Sequence, residues 1–236
     1  MRWFNFKLFF LTLCALVLYG CAAPVQNAVQ FDDAYLASTK DKRVKIGVTL
    51  VDLPKPDTAF PGASCLLCIA VANAAHAALN KHVETLNAND LKALPMKLVE
   101  LLKKKGLDAI VIDEPLKLAS LPDMSAGDAG NKARKNFSSY KVKHGVDRLL
   151  VINIDSLGVW RSYSAYIPTD VPRAIMNGNA FIVDLTSHNL EWYLPIALSN
   201  TSEGAWDEPP KFPGLSNAYY QVIESGMDQI RKPFER

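Results

Sequence analysis

Residues 148–198, RLLVINIDSLGVWRSYSAYIPTDVPRAIMNGNAFIVDLTSHNLEWYLPIAL, decide the fold. Arg148–Tyr163, Arg173–Leu185 and Leu190–Leu198 are rich in β-branched, aromatic and other apolar residues, the composition that suits a pleated and largely buried surface. Between the last two, Thr186-Ser187-His188-Asn189 supplies side chains that bond their own backbone and turn the chain tightly. Three successive strands then form an antiparallel meander. Towards the N-terminus, Val44–Leu53 (VKIGVTLVDL) is a continuous apolar run closed by Pro54 and Pro56, which predicts a buried strand; Asp108–Asp113 (DAIVID) predicts a second, shorter one. Pro54–Ala63 reads as a loop, and Ser64–Val83 as an Ala-rich helix carrying Leu66, Leu67, Ile69 and Leu79. After an expected N-cap at Asn89-Asp90, Leu91, Leu94, Leu98, Leu101 and Leu102 recur at helical spacing up to Gly106, with Pro95 marking the first turn or a kink. Strand–helix–strand order makes these connections parallel crossovers.

Downstream, Leu118–Lys132 reads as a Gly/Ser/Asp loop and Ala133–His144 as a helix ended by Gly145. After a Pro-rich loop at Trp206–Gly214, Ser216–Phe234 closes the chain as an amphipathic helix with Tyr219, Val222, Ile223 and Ile230 on its apolar face. The expected fold is α/β: a mixed sheet with early parallel β-α-β crossovers, then a three-strand antiparallel meander and a C-terminal helix. It forms a single domain over residues 44–236.

The head of the 236-residue chain has a different chemistry. Met1–Lys7 bears Arg2 and Lys7, and Leu8–Tyr19 is almost uninterrupted apolar sequence. A dozen residues fall short of the roughly 20 that cross a bilayer, but match the apolar region of a secretory signal. The run ends in Leu18-Tyr19-Gly20-Cys21, which resembles the bacterial lipobox, with Tyr19 in a slot where a small residue is usual. Residues 1–20 are therefore expected to be a lipoprotein signal peptide, and Cys21 the acylated N-terminus that binds the lipid bilayer. Ala22 in the next position favours, by resemblance to enterobacterial lipoproteins, export to the outer membrane on its periplasmic face. Residues 21–43 then read as a polar tether, whose flexible part would reach about 25 Å.

Charge removes one class of function. The whole chain has 26 Lys+Arg against 24 Asp+Glu, and without its first twenty residues the signs balance at 24 each. Nucleic-acid binding needs a basic surplus gathered on one face, so no nucleic acid is expected as a partner.

Cys65-Leu66-Leu67-Cys68 is the most specific motif of the mature chain. In an oxidising compartment two cysteines one helical turn apart read first as a structural disulfide. A redox pair is the competing reading, since a helix N-terminus lowers a thiol pKa, and Val171-Pro172 could face it with a cis bond as in thioredoxin-like enzymes. Bulky Leu66-Leu67 and the twelve-residue gap from Leu53 speak against that reading. His76 and His82 point to different sides of a helix and supply no metal set. No metal or other cofactor is expected. His144 and His188 flank turns, while Asp155, Asp170 and Asp184 lie in or beside strands without an assignable catalytic partner. Trp160, Tyr163, Tyr166, Trp192, Tyr193 and Trp206 form an aromatic series that reads as core or cross-strand pairs, or alternatively as a binding face. Ala63–Leu79 (ASCLLCIAVANAAHAAL) has no charge; it reads as a buried core helix, with a membrane-touching role as the alternative.

The layout resembles the small periplasm-facing lipoproteins related to the curli production assembly/transport component. The matching pieces are Cys21, the strand Val44–Leu53, the run Gly145-Val146-Asp147-Arg148-Leu149-Leu150, and Phe181-Ile182-Val183-Asp184-Leu185 followed by Glu191-Trp192. The resemblance covers Val44–Leu198, apart from the Pro54–Leu79 region with its two cysteines. It implies a role in envelope assembly or transport and transfers no catalytic residue. Three functions are thus carried forward. The first is a non-enzymatic outer-membrane lipoprotein that binds an envelope protein or itself. The others are a membrane-tethered thiol-disulfide oxidoreductase using Cys65 and Cys68, and a small-molecule or glycan binding domain.

Overall fold

The computed structural model of the chain describes residues 26–30, 35, 39, 44–124 and 131–235. The expected signal peptide and Cys21 lie outside the described residues. The strands are β1 (Lys45–Leu50), β2 (Asp57–Ala59), β3 (Asp108–Val111), β4 (Arg148–Trp160), β5 (Tyr163–Ser164), β6 (Ile167–Pro168), β7 (Arg173–Asp184) and β8 (Leu190–Thr201). The α-helices are α1 (Leu66–Ala75), α2 (Ala77–Val83), α3 (Leu94–Lys104), α4 (Ser138–His144) and α5 (Pro213–Glu235). The main sheet runs β3-β1-β4-β7-β8, with β2 beside the last residues of β4. β3, β1 and β4 are parallel, and β4, β7 and β8 form the antiparallel meander. This is the mixed α/β sheet that the sequence implies.

Alternation along the strands divides the interior in two. Ile46, Val48, Leu150, Ile152, Met176, Ile182, Trp192 and Ile196 face α3 and α5, whose Leu94, Leu98, Leu102, Tyr219, Val222 and Ile230 complete the larger core. Each of the aliphatic side chains among these contributes about 1.5–3 kcal/mol on burial. Val51, Leu149, Val151, Phe181 and Val183 face the other way, against Leu116, Ala133, Phe137 and Val146 of the long connection from β3 to β4. Helices cover one face of the sheet. Loop and the short α4 cover the other.

Local chemistry moved several boundaries. The stretch expected as one helix over Ser64–Val83 breaks at His76, which ends α1 and begins α2 with φ −116° and ψ 24°. Asn89-Asp90 opens a 3-10 turn rather than capping α3; that helix starts at Leu94, where Pro95 sets the first turn. Only Ser138–His144 of Ala133–His144 is helical, and Gly145 ends it in the left-handed region with φ 62°. The expected loop Pro54–Ala63 contains β2, which joins the sheet because Gly158 admits the Asp57 backbone where a Cβ would clash.

The stretch expected as a free tether is docked where the structure describes it. Val29 bridges Tyr193 antiparallel, and Thr39 is buried. The guanidinium of Arg148 lies 5.7 Å from the ring of Tyr35.

Candidate functional site

Strand β4 ends at Trp160, which pairs with Arg173, and Arg173 with Thr201. At this end of the sheet the chain builds a small annex. Phe60, Ala63, Cys68, Ala72 and Tyr163 form its core. Cys65 is the N-cap of α1: its Sγ accepts the Cys68 N–H at 2.9 Å, and the structure joins the two cysteines with Cα atoms 5.0 Å apart. Beside them the β5–β6 hairpin presents Tyr166, whose hydroxyl is 3.7 Å from Cys65 Sγ. The hairpin is tied to the loop before α1 by Tyr163 N to Pro61 O at 2.7 Å and Ala165 N to Gly62 O at 3.2 Å.

Only Cys68 and Ala72 of α1 are buried. Leu66 is 90 % exposed and Leu67 62 %, with Ile69 and Val71 also exposed. This corrects the expectation of a buried core helix over Ala63–Leu79. The small residues at i and i+4 give the close approach to Phe60 and Tyr163, so the larger ones turn outward. A helix apolar on every side offers no periodicity from which a sequence reading could choose the inner face.

Beneath α1, His76 Nε2 lies 3.0 Å from both Arg161 Nη1 and the Tyr163 hydroxyl. The rings of Phe60 and Trp206 stand 5.3 and 5.9 Å from the imidazole, and Arg161 stacks over Trp206 at 5.1 Å. Burial, reinforced by the Arg161 charge, pushes the His76 pKa below its ordinary value. The neutral ring then accepts from Arg161. His76 thus ties the α1–α2 junction to the end of β4 and to the Trp206 loop.

The other residues singled out in the sequence serve structure. His82 Nε2 meets Ser216 Oγ at 2.7 Å, far from His76 in bonding terms. Asp155 accepts from Asn153, Asp170 from Ser162 N and Arg173, and Asp184 from Thr186 N and Ser187 N. His144 stacks on Tyr140, and His188 adopts φ 61° in the β7–β8 turn. Among the described residues the cis peptide bond is Pro209-Pro210, so Val171-Pro172 is trans. The aromatic series does not make one face. Trp192 lies in the larger core against Phe234, Tyr193 stacks with Phe181 across the sheet, and Tyr163 and Trp206 belong to the annex.

Sequence reasoning missed a cleft of about 700 Å³ where β1 and β3 end, lined by Leu50, Leu53, Met96 and Val111 with Asp52, Lys55, Lys92 and Asp113 among its polar residues. Such a position, outside the carboxyl ends of parallel strands, is where open α/β sheets bind ligands. Its signal was present: both strands run into Asp-x-Pro, as Val51-Asp52-Leu53-Pro54 and Ile112-Asp113-Glu114-Pro115.

No family model matches the chain, and no curated protein matches it. Solved structures do. The PelC dodecamer from Paraburkholderia phytofirmans is 7 % identical with a TM-score of 0.33, over 90 % of this chain and 94 % of that one. A neuraminyllactose-binding hemagglutinin homolog from Helicobacter pylori is 8 % identical with a TM-score of 0.36, over 89 % and 85 %. Lipoprotein GNA1162 from Neisseria meningitidis is 15 % identical with a TM-score of 0.28, over 80 % and 99 %. No functional statement follows from likenesses this distant.

Proposed function

We propose that the chain is a lipoprotein of the bacterial outer membrane, acylated at Cys21. Its periplasm-facing α/β domain serves envelope assembly or transport by binding protein, not by catalysis. The observation that carries this reading is the open cleft at the ends of β1 and β3. Leu50, Leu53, Val111 and Met96 give it an apolar lining for a partner's protruding side chain. Asp52, Lys55, Lys92 and Asp113, all exposed, supply mixed charge that orients the approach. The anchor rests on the charged start, the apolar run and the Gly20-Cys21 junction. Two or more acyl chains make such attachment lasting, where one alone does not.

Two measurements test it. Cys21→Ser should leave an uncleaved precursor without labelled palmitate, and normal incorporation in that variant sinks the anchor. Met96→Glu in the full chain should weaken crosslinking to the envelope partner while leaving the fold intact, because Met96 is exposed. Crosslinking unaffected by that charge removes the cleft from the reading.

A thiol-disulfide oxidoreductase is the second reading, supported by the position of Cys65 at the N-terminus of α1, where a thiolate is stabilised. Insulin reduction that vanishes in Cys65→Ser would decide for it.

A further inference from the structure

We propose that a second cavity, on the loop-covered face of the sheet, binds the carboxyl-terminal residue of a polypeptide: one apolar side chain, one peptide group and a free carboxylate. The site is separate from the cleft at the ends of β1 and β3, and it depends neither on that cleft nor on the anchor. The cavity holds about 280 Å³, close to the roughly 300 Å³ at the lower end of small-ligand pockets. Its floor is four side chains of the meander. Asn153 of β4 lies across from Asn179 of β7, and two residues further along β7 Phe181 lies across from Tyr193 of β8. Leu118, Phe137 and Leu190 enclose the space above them. The wall is pinned before any ligand arrives, which lowers the ordering cost of binding. Ala133 N donates to His188 O at 2.9 Å, Leu190 N to Asn131 O at 2.7 Å, and Gln26 Nε2 to Asn131 Oδ1 at 3.3 Å.

Asn153 sets the chemistry of the floor. It is 7 % exposed, and its Nδ2 donates to Asp155 Oδ1 at 2.7 Å. An ionised carboxylate only accepts, so the amide nitrogen must face Asp155, and Oδ1 is left over as an acceptor. The register of β4 against β7 shifts between Ile154 and Ser156, which makes Asp155 the extra residue of a bulge. Bulges of this kind re-aim side chains beside binding sites. Among the described residues neither Asn153 Oδ1 nor the Asn179 carboxamide has a hydrogen-bond partner, and both residues line the cavity. Asn179 can set an N–H donor beside the fixed acceptor of Asn153. One acceptor next to one donor is the complement of a peptide N–H and C=O.

The rim supplies charge. Lys132, Arg134 and Lys135 belong to the lining, and among the described residues no acidic side chain does. Lys135 is held by Asp123 at 2.7 Å, while Lys132 makes no ion pair among the described residues. A carboxylate at the mouth therefore meets positive charge. The apolar enclosure then chooses among acids. An acidic sugar carries hydroxyl groups around its ring, and two carboxamides set among Leu118, Phe137, Phe181 and Leu190 would leave most of them unpaired. A fatty acid suits the walls but strands Asn153 Oδ1. An interior stretch of polypeptide lacks the carboxylate. A chain terminus uses every part of the cavity: its side chain meets the walls, its amide the floor and its carboxylate the rim.

The test titrates two fluorescein-labelled peptides, Gly-Gly-Ser-Gly-Leu and Gly-Gly-Ser-Gly-Phe, with the full chain in detergent micelles, and reads anisotropy against empty micelles. Each peptide is compared as its free acid and as its carboxamide, which differ only in the terminal group. At least one free acid is expected to bind about tenfold or more tightly than its amide. Lys132→Glu should abolish that preference, and Asn153→Leu, of similar shape, should weaken the acid about tenfold. Lys132 is exposed, so its variant keeps the fold even where Asn153→Leu does not. Met96→Glu, in the other cleft, should leave the titration unchanged, which separates a failure of this site from a failure of that one. No binding by either acid, equal binding of acid and amide, or a preference that persists in Lys132→Glu overturns the proposal. So does unchanged affinity in a folded Asn153→Leu variant, loss of binding in Met96→Glu, or displacement of the peptide by equimolar glucuronic acid.

Discussion

Arg148 brings its guanidinium into the first residue of β4, where Glu191 takes it with two hydrogen bonds and Asp184 lies 3.9 Å away. Burial opposes the charge on Arg148, yet Glu191, Tyr35 and Asp184 outweigh it and hold the residue ionised. Removing one partner of a pair this buried strands the other. Arg148→Met should therefore cost about 3 kcal/mol or more in urea unfolding, and adding Glu191→Leu should recover much of the loss. A double variant as unstable as the single one would show that Glu191 is not the group left stranded. The buried His76 works through pH. Its pKa is depressed by burial and by Arg161, with Tyr163, Phe60 and Trp206 enclosing the ring. Below about 6.5 the unfolded chain takes up a proton that the folded chain refuses, so stability falls as the pH drops towards the depressed folded value. His82, lowered by burial and Lys211, acts in the same direction. His76→Gln should flatten the pH dependence of the melting temperature between pH 5 and about 6.5 without abolishing it. An unchanged slope would remove His76 from that account.

Elements differ in how much of themselves they write into sequence. The meander was legible because β4, β7 and β8 alternate between two packed faces, and because Asp184 holds the turn after β7 through Thr186 and Ser187. Helix α5 was legible because Tyr219, Val222, Ile223 and Ile230 sit on one stripe. Strand β2 is three residues long and pairs only through the gap that Gly158 leaves, a tertiary event with no local pattern. Helix α1 was placed on the wrong side of the surface, since its apolar residues were read as core when Ala and Cys do the packing. At the candidate site the two cysteines and the Asp-x-Pro ends of β1 and β3 were visible in the sequence, but the cleft between those ends was not, because it exists only once β1 and β3 lie side by side. The clamp across Cys65 and Cys68 closes a loop of four residues, which the chain-closure model values at about 2 kcal/mol. Cys65→Ala with Cys68→Ala should lower the melting temperature modestly and leave the fold intact. Mass spectrometry of alkylated native protein showing two free thiols would refute the bond itself.

At the scale of the whole molecule the two faces of the sheet are unequally defended. Helices α3 and α5 lie on one, and residues 116–124 and 131–146, mostly irregular apart from α4, cover the other. Local opening should begin on the second face. Amide exchange of Ser138–His144 is expected to run faster than that of Val222–Ile230, and the reverse order would contradict this ranking. The borders of the sheet raise another matter. Twelve-residue β8 is an edge, and its bonds to Val29 show that the Tyr193 N–H and C=O point outward. With a period of two, Pro195 also faces outward, where it has no N–H to give. The docked Val29 and Pro195 thus blunt the one long border on which a foreign strand could zip up, while β3 limits the opposite border to four residues. The segment around Val29 thus doubles as a guard against fibre growth, and a chain lacking residues 1–30 should self-associate where the intact one stays dispersed.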